Sequence, residues 1–174
     1  MALLQNIFVE KPWKLNLMFN KSYQQQNQGI EMTKFDFYIK WLLFVSIAIA
    51  LFGICIALFK NGFLSPIMND LFNPAFWPNN VIDEGTIRFK NLTWCLFGSM
   101  MTMWGIMLFG IVKNALIKKE MWAWNSIFYS TCAWFVIDEG FSLYYHVWIN
   151  AAANIPFLIL IAIPLVMTRK FMTK

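Results

Sequence analysis

The stretch WLLFVSIAIALFGICIALF, residues 41–59, carries no charge over nineteen positions, and it decides the class of the chain. At 1.5 Å rise per helical residue, roughly 17–25 apolar residues match a hydrocarbon layer ~30 Å thick. Three further uncharged runs follow at 92–112, 121–137 and 147–167. The expected fold is all-α, an integral membrane antiparallel four-helix transmembrane bundle. Its spans are expected at about 41–59, 92–112, 121–138 and 147–168, within a membrane domain of 35–174.

Composition agrees with that reading. Of the 174 residues 59% are hydrophobic and only 13% charged, too apolar for a soluble domain of this length. The net charge of +5 does not indicate nucleic acid, because the cations follow the spans. Lys11, Lys14, Lys21, Lys34 and Lys40 precede the first span. Lys113, Lys118 and Lys119 join the second to the third, and Arg169, Lys170 and Lys174 form the tail. The opposite side has only Lys60, Arg88 and Lys90. The positive-inside rule then puts both termini in the cytoplasm.

Residues 1–34 read as a cytoplasmic or interfacial segment. The polar run Gln24, Gln25, Gln26, Asn27 and Gln28 is expected not to order itself. Residues 1–19 suit the membrane surface through Ile7, Phe8, Trp13 and Leu17; a start of translation at Met32 is the competing reading. No cleavable signal peptide is recognisable. The outer loop 60–91 holds Pro66, Pro74 and Pro78, with a short surface helix expected over 66–72. Cys55, Cys95 and Cys132 fall inside spans and read as small hydrophobes, so neither a disulfide nor a metal motif is expected.

Two features go beyond packing. Val81-Ile82-Asp83-Glu84-Gly85 recurs as Val136-Ile137-Asp138-Glu139-Gly140, each copy ahead of an outside-to-inside span. Poorly aligned flanks favour coincidence over a duplicated hairpin. The second copy puts Asp138 just inside the outer interface, where an unpaired charge costs up to ~3 kcal/mol. Gly140 is expected to end the third helix and Ser142 to cap the fourth. His146 (the chain's single histidine), Asn150 and Asn154 follow at four-residue spacing, on one helical face. A tight turn would bring Asp138 and Glu139 beside His146, with Asp83 and Glu84 as additional outer-face acids. Two accounts of this cluster stand side by side: a ligand-binding pocket, and a polar clamp between the third and fourth helices.

Gly98, Thr102 and Gly105 share one face of the second span, a small-residue surface suited to close helix packing. Pro156 and Pro164 are expected to kink the fourth span or free carbonyls there. No phosphate loop, nucleophile elbow, dinucleotide fingerprint or zinc motif occurs, so no cofactor, metal or catalytic residue is assigned.

The segments Asp83-Glu84-Gly85-Thr86-Ile87-Arg88, Trp104-Gly105, Lys119-Glu120-Met121-Trp122-Ala123-Trp124 and Trp134-Phe135-Val136-Ile137-Asp138 resemble a small bacterial membrane-protein family with four spans and no described activity. The resemblance covers about residues 35–170 and implies a bacterial inner membrane. The functional expectation is a non-enzymatic accessory or scaffold component. Its partners would be the lipid bilayer and either another membrane subunit or a second copy, docked through the Gly98–Gly105 face. The alternative is a binding or transport protein, or an intramembrane enzyme, using the Asp138 cluster.

Overall fold

A computed structural model describes residues 12–59, 72, 74–77, 79 and 81–172 of the chain. Four helices account for most of them: α1 (Pro12–Leu58), α2 (Glu84–Asn114), α3 (Met121–Tyr144) and α4 (Trp148–Thr168). A 3₁₀ turn, Leu116–Lys118, follows α2, and another, Arg169–Phe171, tightens the end of α4. No strand element occurs among the described residues. The surface helix expected over 66–72 and the interfacial segment before residue 12 lie outside what is described, apart from Phe72.

The chain divides into a unit of Met1–Phe37 and a unit of Tyr38–Lys174. In the first, helix α1 runs through Gln24–Gln28, where the composition had pointed to disorder. Proline suits the first helical position, and straight-chain Gln and Lys lose little rotamer freedom in a helix. Gln, Asn and Lys in this stretch stay mostly exposed, so it is helical without an apolar face there.

In the second unit α1 buries Ile39, Leu42, Val45, Ser46, Ile49, Gly53 and Ile56 along one stripe. Helix α2 buries Gly98, Met101, Gly105, Leu108 and Val112, alternating steps of three and four. Outside those stripes, large apolar side chains face away from protein: Phe44 is 71% exposed, Met100 63% and Ile106 62%. Such continuous apolar surface is the mark of contact with lipid. Hydroxyls on these helices turn back onto their own carbonyls, as Ser46 does to Leu43, Ser99 to Leu96 and Thr93 to Phe89. A hydroxyl with no water nearby is satisfied in that way.

Three helical stretches are long and apolar enough to cross a membrane: Phe19–Leu58, Glu84–Lys118 and Trp148–Phe171. Helix α3 is the exception to the four expected spans. Its 24 residues would reach across, but Asn125, Ser126, Tyr129, Ser130, Thr131 and Asp138 dilute its apolar content. Its ends also differ from expectation. Gly140 lies inside α3, which continues six residues past the predicted boundary at 138. Pro156 and Pro164 sit within a continuous α4, with Pro164 fully buried.

The helices touch through specific pairs. Gly53, Ala50 and Ala57 of α1 meet Gly98, Thr102 and Gly105 of α2 at backbone distance. Trp104 of α2 meets Trp134 of α3 with ring centroids 5.4 Å apart. Trp124, near the start of α3, donates its indole N–H to the carbonyl of Leu165, near the end of α4, at 2.7 Å. Phe52 of α1 lies 6.0 Å from Phe157 of α4.

Both short connections use one backbone device. After α2, Lys119 N–H bonds to Leu116 O at 2.8 Å and Glu120 N–H to Ala115 O at 3.3 Å. After α3, His146 N–H bonds to Leu143 O at 3.1 Å and Val147 N–H to Ser142 O at 2.8 Å. These nested 5→2 and 6→1 bonds are the Schellman motif, which needs a left-handed residue at its centre. Lys119 (φ 64°) and His146 (φ 58°) take that role.

Candidate functional site

Asp138 and Ser142 stand one turn apart on α3, and Asn150 and Asn154 one turn apart on α4. The turn at His146 folds α4 back so that these two polar rows meet. Asp138 Oδ1 accepts from Asn150 Nδ2 at 2.6 Å, from Asn154 Nδ2 at 2.7 Å and from Ser142 Oγ at 3.2 Å. Asn150 Nδ2 also donates to Ser142 Oγ at 2.7 Å. Asn154 and Ser142 are buried, at 7% and 6% exposure. Three donors thus converge on one carboxylate oxygen, and charge-assisted bonds of this kind are about twice as strong as neutral ones.

The other expected members go elsewhere. His146 is exposed in the turn, with its ring 6.3 Å from that of Trp148 and no hydrogen bond to Asp138. The even spacing to Asn150 and Asn154 misleads because His146 is left-handed, so no helical face includes all three. Ser142 does not cap α4, whose N-cap Val147 lacks a side-chain bond; it belongs to the polar row of α3. Glu139 is adjacent in sequence to Asp138 but takes no part, and its Oε1 is buried without a hydrogen-bond partner.

The first copy of the pentapeptide has an unrelated structure. Val81, Ile82 and Asp83 precede α2, and the extended Asp83 caps it by accepting the Thr86 N–H at 3.1 Å. The Thr86 hydroxyl also donates to Asp83. That hydroxyl first, and the backbone N–H second, hold the Asp83 carboxyl below the usual aspartate range. Glu84 pairs with Arg88 one turn on at 2.6 Å, both side chains 79% exposed, a geometry worth little. Asp83 and Glu84 therefore serve the start of α2. The same five residues thus lead into a helix N-terminus in one copy and lie inside α3 in the other.

The small-residue face of α2 is occupied from within the chain. A Cβ on Gly98 would lie 2.5 Å from Gly53 O and 2.7 Å from Ala57 N. One on Gly105 would lie 2.5 Å from Ala50 N and 2.7 Å from Ser46 O. Thr102 Oγ1 donates to Gly98 O at 2.8 Å and approaches Ala50 O at 3.4 Å. A partner helix cannot use this surface while α1 fills it.

No group of three or more His, Cys, Asp or Glu suited to a metal occurs among the described residues. Cys55, Cys95 and Cys132 form no disulfide. No protein-family model, curated protein or solved structure matches the chain.

A histidine held left-handed is a conformational burden, about 1–2 kcal/mol for an L side chain, against ~0.5–1 kcal/mol of extra chain entropy for glycine. His146→Gly is expected to leave the unfolding free energy unchanged or raise it by up to ~1 kcal/mol. A clear loss of stability in a detergent unfolding titration would instead give the imidazole a role that the turn does not explain.

Proposed function

We propose that the chain is a four-helix antiparallel transmembrane bundle acting as a non-enzymatic accessory or scaffold component of a bacterial inner membrane, with both termini cytoplasmic. The pairwise contacts support the bundle: α1 on α2, α2 on α3, α3 on α4, and α4 back on α1 through Phe157 and Phe52. In that arrangement α3, which is not among the helices apolar enough to cross a membrane alone, is carried by its neighbours. The lysine pattern supports the orientation.

The carrying observation is that the side-chain donors around Asp138 are directed at its carboxylate. Its Oδ1 already has three donors from Ser142, Asn150 and Asn154. A binding site keeps donors and acceptors for its ligand, whereas a clamp pairs them internally. One observation favours the second reading, a small-molecule pocket: Glu139 Oε1 is buried and unpartnered.

Native mass spectrometry of the protein released from mild detergent separates the two. The expected spectrum shows the chain with lipid, alone or with a co-purified polypeptide. A polar small molecule retained by the natural protein and absent from Glu139→Gln would establish the pocket instead.

A further inference from the structure

At the end of α4 the 3₁₀ turn changes the hydrogen bonding of the last helical carbonyls. Arg169 N–H bonds to Val166 O, so Leu165 O loses the donor an α-helix would have given it. Two side chains replace that donor. Trp124 Nε1 bonds to Leu165 O at 2.7 Å, and Thr168 Oγ1 bonds to the same oxygen at 2.7 Å. The indole also stacks on Phe128, with centroids 4.9 Å apart and 14° between the rings. Trp124 is thereby buried and fixed, and the Arg169 guanidinium lies over its ring, 5.0 Å from the centroid.

Arg169 is exposed and makes no ion pair with any carboxylate among the described residues. Its neighbourhood is basic in sequence: Lys170 follows it, and Lys118 and Lys119 lie in the turn leading into the helix that carries Trp124. Glu120 is the one acid in that turn. A guanidinium resting on an aromatic face keeps its in-plane N–H groups available, and their fork matches phosphate oxygens two at a time. Helix α4 is also among those apolar enough to span a membrane, so its end marks the headgroup level.

We infer that Arg169, seated on Trp124, is a binding site for the phosphate of an anionic phospholipid headgroup in the leaflet where α4 ends. Rigidity separates this from a diffuse positive surface. The tryptophan has no freedom to follow the cation, so the guanidinium is positioned before lipid arrives and less ordering is needed on binding. Lys118 and Lys119 add long-range attraction, while the bidentate contact belongs to Arg169. The inference requires only that α4 lies in a membrane, and it holds for either reading of the Asp138 cluster.

The test is a native mass-spectrometric titration of the full chain in neutral detergent with dioleoyl phosphatidylglycerol, and in parallel with dioleoyl phosphatidylcholine. The natural protein should prefer phosphatidylglycerol, and Arg169→Gln should weaken that binding about tenfold. Arg169→Lys keeps the charge but not the fork, and should recover only part of the affinity. Lys118→Gln should cost less than threefold. Equal losses for Arg169→Gln and Lys118→Gln, or full affinity in Arg169→Gln, would overturn the site. So would displacement of the lipid by millimolar inorganic phosphate, which would mark a site for the free anion. Should Arg169→Gln fail to fold, the ratio between Arg169→Lys and the natural protein still decides, because full affinity in the lysine variant excludes a role for the fork.

Discussion

Asp138→Ala is expected to lower the unfolding free energy by about 2–3 kcal/mol, measured by reversible unfolding in mixed micelles. The reason is what it leaves behind. Asn154 Nδ2 loses its acceptor at 7% residue exposure, and Asn150 Nδ2 keeps only Ser142 Oγ. Single hydrogen bonds between membrane helices average ~0.6 kcal/mol, but three donors on one charged oxygen exceed that. Asp138→Asn retains an amide oxygen at the same place and should cost about half as much. Adding Asn154→Leu to Asp138→Ala removes the stranded amide, so the double variant should be more stable than the summed single losses. An Asp138→Ala protein within ~0.5 kcal/mol of the natural one would show that the clamp does not hold α3 to α4.

The membership of that clamp was only partly legible in the sequence. Asp138, Asn150 and Asn154 stood out because polar residues in an apolar run are costly unless paired, and the structure pairs them. Helical spacing groups His146 with them, but only if all three positions are helical. Schellman turns are recognised in sequence by glycine, and here His146 and Lys119 take the left-handed position, so neither turn announced itself. Gly140 carried the expected signal and is plain helix. Nor could local sequence separate Asp83 from Asp138, since their pentapeptides are identical. What distinguishes them lies beyond the repeat: Thr86 donates to the first, and the asparagines donate to the second from a different helix. Trp124 stands in an apolar run whose local sequence does not show its partner. Its bond to Leu165, 41 residues away, depends on the 3₁₀ turn Arg169–Phe171, which no periodicity encodes.

Gly98→Ala should destabilise the protein by about 2–4 kcal/mol, more than any other single added methyl on α2 except at Gly105. The added Cβ would lie 2.5 Å from Gly53 O, 2.7 Å from Ala57 N and 3.0 Å from Ala57 Cβ. Two of those three atoms are backbone, so no rotamer change relieves the clash and α1 must move away from α2. Moving it breaks the row as a whole, because Gly53, Thr102, Ala50 and Gly105 are all at similarly short range. Dispersion across the interface falls steeply with separation, and in lipid no hydrophobic term replaces it. Gly53→Ala should be equally damaging, since its Cβ meets Gly98 O at 2.5 Å and Thr102 N at 2.6 Å. Gly110 supplies the control on the same helix: nothing lies within 4 Å of its added Cβ. Gly110→Ala should therefore be neutral or stabilise by up to ~1 kcal/mol through helix propensity alone. The comparison removes propensity from the measurement, because both substitutions gain it equally. If Gly98→Ala and Gly110→Ala unfold alike, α1 does not pack on α2 at backbone distance, and the small-residue face of α2 is open to a partner helix after all.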